Sequence, residues 1–282
     1  MQQTELLLRC KLLKQFGYVK LLKLAQQLPV KPAELSLKQL LALPLPADIK
    51  SRLKVVFGSE LDQAVAKVMR QCHVISFFDE MYPPQLREIY RPPLILFALG
   101  NLQLLEQEIV TIVGSRRPTN YSKVVLSQLI PRLVADDWVI ASGLAVGVDT
   151  LAHDLTLQAG GATIAVVGNG LNQVYPSRNF QLQQLIAQQG LLLSEYLPDT
   201  PARPFRFPER NRILAGLCQN VLVTEAAMKS GSLITANLAL DDNRNIYAVP
   251  GPITSPLSAG PNQLIAAGAT PLVEYEIDLR KI

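Results

Sequence analysis

The stretch IVTIVGSRRPT, residues 109–119, decides the fold. Apolar and β-branched residues run unbroken from Ile109 to Val113, and Gly114, Ser115, Arg116, Arg117 and Pro118 then break the run. A strand buried on both faces reads as such a continuous run, whereas a strand with one wet face alternates. The same grammar recurs at Trp138–Ala141, Thr163–Val167, Leu191–Leu193, Val221–Thr224 and Ile246–Val249. Helix-length stretches lie between most of these runs, at 122–135, 149–158 and 178–188. Strands alternating with helices imply right-handed βαβ units, hence an α/β fold with a mostly parallel sheet and helices on both faces.

Upstream the texture differs. Leu6, Leu7, Leu13, Leu21, Leu24 and Leu28, then Leu37, Leu40 and Leu41, then Ile49, Leu53 and Val56 recur at helical spacing. Pro29, Pro32, Pro44 and Pro46 separate them. The organisation read from this is a small all-helical module over 1–70, a connecting segment over 71–105 and the α/β domain over 106–282. The short apolar runs in CHVISFFD and PPLILFALG are read as strands of the connecting segment.

Of the 282 residues, 49% are hydrophobic and 18% charged, which is a globular composition. The net charge of +4 allows a nucleic-acid partner without requiring one. Cys10, Cys72 and Cys218 are far apart and odd in number, so neither a disulfide framework nor a zinc site is expected. Charges interrupt every apolar run of the N-terminus, and no window approaches the roughly 18 apolar residues of a membrane span. The expectation is a cytoplasmic protein without membrane, metal or cofactor.

In an open parallel sheet, ligands bind outside the carboxyl ends of the strands. At the first such end, Gly114 permits a tight turn, and Ser115 with the following helix start can cradle an anion. Arg116 and Arg117 add bidentate phosphate geometry. The second end, SGLAVGVDTLAH (142–153), offers Ser142, Gly143 and Gly147 for close backbone approach. Asp149 there reads as a helix N-cap, and His153 as its local hydrogen-bond partner four residues on. RPFRFPERNRI (203–213) is the densest positive stretch, with Arg203, Arg206, Arg210 and Arg212 interleaved with Phe205 and Phe207, and Asn211 adding an amide. Arginines neutralise phosphates, and an aromatic face stacks an unpaired base. On this reading one of the two phenylalanines belongs to the core; the competing assignment has both phenylalanines in the core and the arginines paired with Glu195, Glu225 or Asp199. TEAAMKSGSLIT (224–235) supplies a further helix start at Ser230, Gly231 and Ser232, with Ser232 as its cap and Glu225 as a buried carboxylate ordering the loop.

IVGSRRPT, SGLAVGVDTLAH, VVGNGLNQVYPSRN, LLLSEY, FPERNRILAGL, TEAAMKSGSLIT, YAVPGP and NQLIAAGA, in this order, resemble the DprA/Smf family over residues 80–275. The resemblance implies an extended Rossmann-like domain preceded by a SAM-like helical module. It implies a non-enzymatic protein that binds and protects single-stranded DNA in natural transformation, forms a homodimer and helps load RecA recombinase. The family's DNA pocket falls on Ser115 and Arg116, on Ser142 and Gly143, on the FPERNR segment with Phe207 as base stacker, and on the Ser230–Ser232 loop. Where many members carry Lys three positions before that Phe, this chain has Pro204, with Arg203 or Arg206 as the substitute charge. The chain ends soon after the last predicted strand, so the winged-helix-like domain of many members is expected to be absent.

Two rivals stand beside this reading. A nucleoside monophosphate hydrolase of the lysine-decarboxylase-like (LOG) group would carry PGGxGTxxE where this chain has TEAAMKSGSLIT. A sensor of free nucleotide could use the same pocket. For the dimer, residues 261–267 read as a short helix closed by Gly268. Leu264 and Ile265 point about 100° apart, so one buries while the other faces outward. The resemblance places the two-fold contact on Asn262, Ile265 and Leu272.

Overall fold

The computed structural model describes residues 1–31, 33–275 and 279–280. Pro32 therefore lies outside the described residues. Among the described residues, nine strands form one sheet in the order β1-β2-β6-β5-β4-β3-β7-β8-β9. The expected runs appear as β3 (Ile109–Val113), β4 (Val139–Ser142), β5 (Thr163–Val167), β6 (Leu191–Ser194), β7 (Asn220–Val223) and β8 (Asn245–Ala248), all parallel. A two-residue β9 (Thr270–Pro271) closes one edge, parallel to β8.

The boundary drawn near residue 105 needs correction. The segment 71–105, read as a connector, supplies β1 (His73–Ser76) and β2 (Ile95–Gly100) to the sheet itself. Both pair antiparallel, β2 against β6. Their apolar runs marked them as strands, but a run carries no information about its pairing partner.

The helical region comprises α1 (Gln3–Leu12), α2 (Tyr18–Ala25), α3 (Leu37–Ala42), α4 (Ala47–Val56) and α5 (Asp62–Gln71). It is not an independent module. Leu6, Leu24, Leu40 and Leu53 are fully buried in one cluster with Phe97, Ala165 and Leu192 of the sheet. Each buried leucine contributes roughly 1.5–3 kcal/mol relative to exposure. The region is thus held to the sheet by the same apolar packing that holds it together.

After the short α6 (Pro84–Arg87), α7 (Asn120–Ala135) and α8 (Val148–Gln158) cover one face of the central strands, over Val110, Ile112 and Ile140. The α9 helix (Phe180–Gln189) packs in the cluster of the helical region. The other face carries α10 (Arg206–Gly216), α11 (Gly231–Asp241) and α12 (Ala259–Ala266), over Ile109, Val113 and Val221. Alternate residues of β3 thus serve opposite cores, as a two-sided strand requires.

The α10 helix occupies the Arg/Phe-rich stretch that carried no helix assignment. Its prolines mislead: Pro208 sits in the first turn, where its missing N–H is not needed. From β3 the chain winds through β4, β5 and β6, then returns across the sheet to place β7 on the opposite side of β3. The β3/β7 boundary is therefore the topological switch point, where a crevice opens at the strands' carboxyl ends.

Candidate nucleic-acid interface

A cleft of about 520 Å³ lies at that switch point. It unites segments far apart in sequence: Ser115 and Arg116 after β3, Tyr175 after β5, Phe207, Arg210 and Asn211 of α10, and Ser230, Gly231 and Ser232 at the start of α11.

Glycine makes the cleft floor. Gly147 has φ +86°, and a Cβ there would meet the Arg116 carbonyl carbon at 2.7 Å and its Cα at 2.8 Å. The first loop therefore lies directly on the second, locked by the Val148 N–H donating to the Ser115 carbonyl at 3.0 Å. Behind it, Glu225 accepts from the Thr119 N–H (2.7 Å), the Thr119 hydroxyl (2.7 Å) and the Ser122 hydroxyl (2.8 Å). This is the loop-ordering role expected of that carboxylate.

One helix N-terminus, that of α11, opens on the cleft through Ser230, Gly231 and Ser232. Thr119 caps α7 by accepting from the Tyr121 N–H, and Ser230 caps α11 by accepting from the Leu233 N–H. Ser230, not Ser232, is the cap; the Ser232 hydroxyl instead donates to the Gly114 carbonyl at 2.7 Å, tying α11 to β3. First-turn N–H groups lack intrahelical acceptors and carry the positive end of the helix dipole, which suits an anion.

Arg210 is 5% exposed. It donates to the carbonyls of Gly143 (2.6 Å) and Val166 and faces the buried Asp149. Burial lowers its guanidinium to about 10 and raises the Asp149 carboxyl, while their attraction opposes both shifts. Asp149 is not the N-cap. Gly147 occupies that position, and Asp149, inside the helix, accepts from the Ala145 N–H at 3.2 Å.

His153 does not bond Asp149 either; its Nδ1 meets the Thr163 hydroxyl at 2.6 Å. That hydroxyl donates to the Ile140 carbonyl, so Nδ1 carries the proton and Nε2 is left buried with no partner among the described residues. Burial lowers the His153 pKa to about 3. Between pH 6.5 and 3 the unfolded chain binds a proton that the folded chain refuses, so this group's contribution to stability falls as pH falls. We expect the difference in unfolding free energy between wild type and His153→Gln to change by roughly 1.4 kcal/mol per pH unit between pH 6 and 4. Urea titrations at both ends of that range measure it, and parallel pH profiles would refute the assignment.

Exposed in the cleft are Arg116 and the aromatic pair. The Arg116 guanidinium carbon lies 6.0 Å from the Phe207 ring centre, and the Tyr175 ring lies 5.1 Å from it at a 35° tilt. Phe207 rests on Gly168, where a Cβ would meet its Cδ1 at 2.9 Å. Neither phenylalanine enters the core: Phe207 is half-buried in the cleft and Phe205 is 60% exposed.

Other residues assigned to binding from sequence lie elsewhere. Ser142 is fully buried and its hydroxyl donates to the Ile112 carbonyl, while Gly143 lies beneath Arg210. Arg212 points off the opposite side of α10 and pairs with Glu195, as the competing assignment had it. Arg206 donates to the Pro201 carbonyl and covers Tyr196 and Phe205. Arg117 and Arg203 are exposed outside the cleft lining. Pro204 does line the cleft, and the exposed cation beside Phe207 is Arg116. Tyr175, missed from sequence, sits in a strand-following segment whose one aromatic was its signal.

The family profile described as DNA recombination-mediator protein A matches residues 73–280. The chain belongs to that family. Within the DNA recombination-mediator protein A family it is 45% identical over 208 residues to the DNA processing protein DprA of Streptococcus pneumoniae, which covers 74% of this chain and 73% of that one. It is 43% identical over 205 residues to Protein Smf of Escherichia coli, covering 72% and 55% respectively. The crystal structure of the S. pneumoniae protein superposes with a TM-score of 0.84 at 37% identity, over 98% of this chain and 96% of that one. DNA processing protein A of Helicobacter pylori, whose structure concerns its single-stranded DNA binding mode, gives 0.67 at 33% identity, over 73% and 92%.

Proposed function

We propose that the chain binds single-stranded DNA in the β3/β7 cleft, without catalysis, and in the cytoplasm hands that DNA to RecA recombinase during natural transformation. The observation that carries the reading is Arg116 beside the Phe207–Tyr175 pair, in the cleft onto which the N-terminus of α11 opens. Cations and dipoles take phosphates; aromatic faces take unpaired bases, which a duplex keeps stacked inside. The Glu225 carboxylate, with its oxygens committed to Thr119 and Ser122, is spoken for as a structural group.

The test is binding of labelled oligonucleotides at several salt concentrations. Single strands should bind more tightly than duplex, and a mononucleotide should compete poorly. Arg116→Ala should reduce the magnitude of the log–log salt slope by about 0.7, the share of one phosphate contact on a single strand. Phe207→Ala should weaken binding by roughly 1–3 kcal/mol with the slope unchanged, because stacking releases few counterions. Equal affinity for mononucleotide and oligonucleotide would favour a nucleotide sensor instead.

The homodimer belongs to the same proposal. Gly268, at φ +106°, ends α12 as expected; Leu264 is buried and Ile265 half-buried. Two expected contact residues are engaged within the chain. Asn262 clamps both the N–H and carbonyl of Gly251, and Leu272 is buried, leaving Val273 at 73% exposure as the outward apolar residue. A two-fold contact would count each substitution twice. Ile265→Glu should halve the mass seen by light scattering, and an unchanged mass would exclude this face.

A further inference from the structure

We infer that a cavity behind α10 binds a small zwitterion with an apolar middle, of the amino-acid or dipeptide class. The carboxylate of this ligand meets Lys11 and its ammonium meets Asp241. The cavity, of about 550 Å³, lies where the helical region meets α10 and α11. It is distinct from the strand-end cleft, although Pro208 lines both. Its volume falls among those of small-molecule pockets. Ile89, Leu238 and the Tyr18 ring supply apolar wall.

The charges around this cavity do not cancel pair by pair. Arg212 pairs with Glu195, Glu209 accepts from the Tyr196 hydroxyl at 2.7 Å, and Arg91 lies 4.8 Å from the Tyr18 ring centre. Asp242 is acted on by Arg244 and by the Tyr90 N–H. Two charges are left over. Lys11 is half-buried, yet among the described residues no hydrogen bond or ion pair engages its ammonium. Asp241 ends α11 with its carboxylate equally unpaired among the described residues. Arg212 Nη1 is also buried with no partner among the described residues, so this wall is short of acceptors. Burial lowers the Lys11 ammonium, as it does for any cation withdrawn from water. A lone anion would satisfy Lys11 but face the carboxylates of Asp241, Asp242 and Glu209. A lone cation would satisfy Asp241 but leave Lys11 without a counter-charge. A ligand carrying both charges answers both, through contacts stronger than neutral hydrogen bonds.

Isothermal titration calorimetry with ω-amino carboxylates, from aminobutyrate to aminooctanoate, tests this beside hexanoate and hexylamine. One chain length should bind best, and that length measures the span between the two charges. Hexanoate and hexylamine should each bind about 10-fold more weakly or worse, the worth of one charge-assisted hydrogen bond. Lys11→Met should weaken the best amino carboxylate by the same factor and leave hexylamine unchanged. Asp241→Asn should weaken it equally and leave hexanoate unchanged. Lys14→Met, an exposed lysine outside the cavity, should change nothing. Should Lys11→Met melt early, Lys11→Arg keeps the charge and should keep the binding. No binding by any length up to roughly 10 mM would overturn the proposal. So would hexanoate binding as tightly as the best amino carboxylate, or full affinity in either the Lys11→Met or the Asp241→Asn chain.

Discussion

Arg210→Met is expected to lower folding stability by about 3–5 kcal/mol, the range for breaking a buried charge arrangement by removing one partner. The guanidinium holds the carbonyls of Gly143 and Val166 and faces Asp149. Methionine fills much of the volume but leaves both carbonyls and the Asp149 carboxyl uncompensated in a dry interior. The same change should weaken DNA binding, because Arg210 itself lines the cleft together with Ala145 and Asp149. Denaturant unfolding of Arg210→Met beside Arg206→Met provides the comparison. Arg206 is partly exposed and should change stability by less than about 1 kcal/mol. Comparable losses in both variants would mean that Arg210 is not the anchor of this turn.

Gly147→Ala should be the second severe change. A left-handed φ of +86° with ψ −125° is open to glycine and strained for alanine, at on the order of 1–3 kcal/mol. The added methyl would also strike the Ser115 carbonyl and the Arg116 backbone, neither of which is a flexible side-chain tip. Relief requires lifting the β3 loop, which moves Arg116 away from Phe207. The expected result is a drop in melting temperature together with a loss of oligonucleotide affinity beyond that of Arg116→Ala. Gly160→Ala is the internal reference: it has a comparable φ of +74° but open space around its Cβ. It should share the strain and spare the DNA affinity. If both glycine variants bind DNA as wild type does, the contact between the two loops does not shape the cleft.

The central sheet was legible because β3 through β8 are buried on both faces and cannot hide their apolar runs. Cleft residues close to a strand end, such as Ser115 and Arg116, were legible for the same reason. What required the structure was the direction of side chains along α10. Arg210 and Arg212 are two positions apart, about 200° around a helix, so one faces the cleft and the other faces Glu195. Without a helix assignment the stretch gives all four arginines equal standing; only the helix separates them. Ser142 was misplaced for a related reason: strand β4 runs one residue further than its apolar run and buries that hydroxyl. The antiparallel attachment of β1 and β2 depends on β6 having an open edge, a property of the assembled sheet and not of any local pattern.

The pairing of β3 with β7 sets Val110 opposite Asn220 and Val113 opposite Val223. The chain through Val223 must be synthesised before this ladder can close, and such long-range pairing is the slow step for chains rich in non-local contacts. The cleft straddles that ladder. A nascent chain halted before β7 can build β3, β4, β5 and their helices, yet it has neither α11 nor the far wall of the crevice. Competence to hold a strand therefore arrives late and all at once, when β7 and the start of α11 join the walls already built.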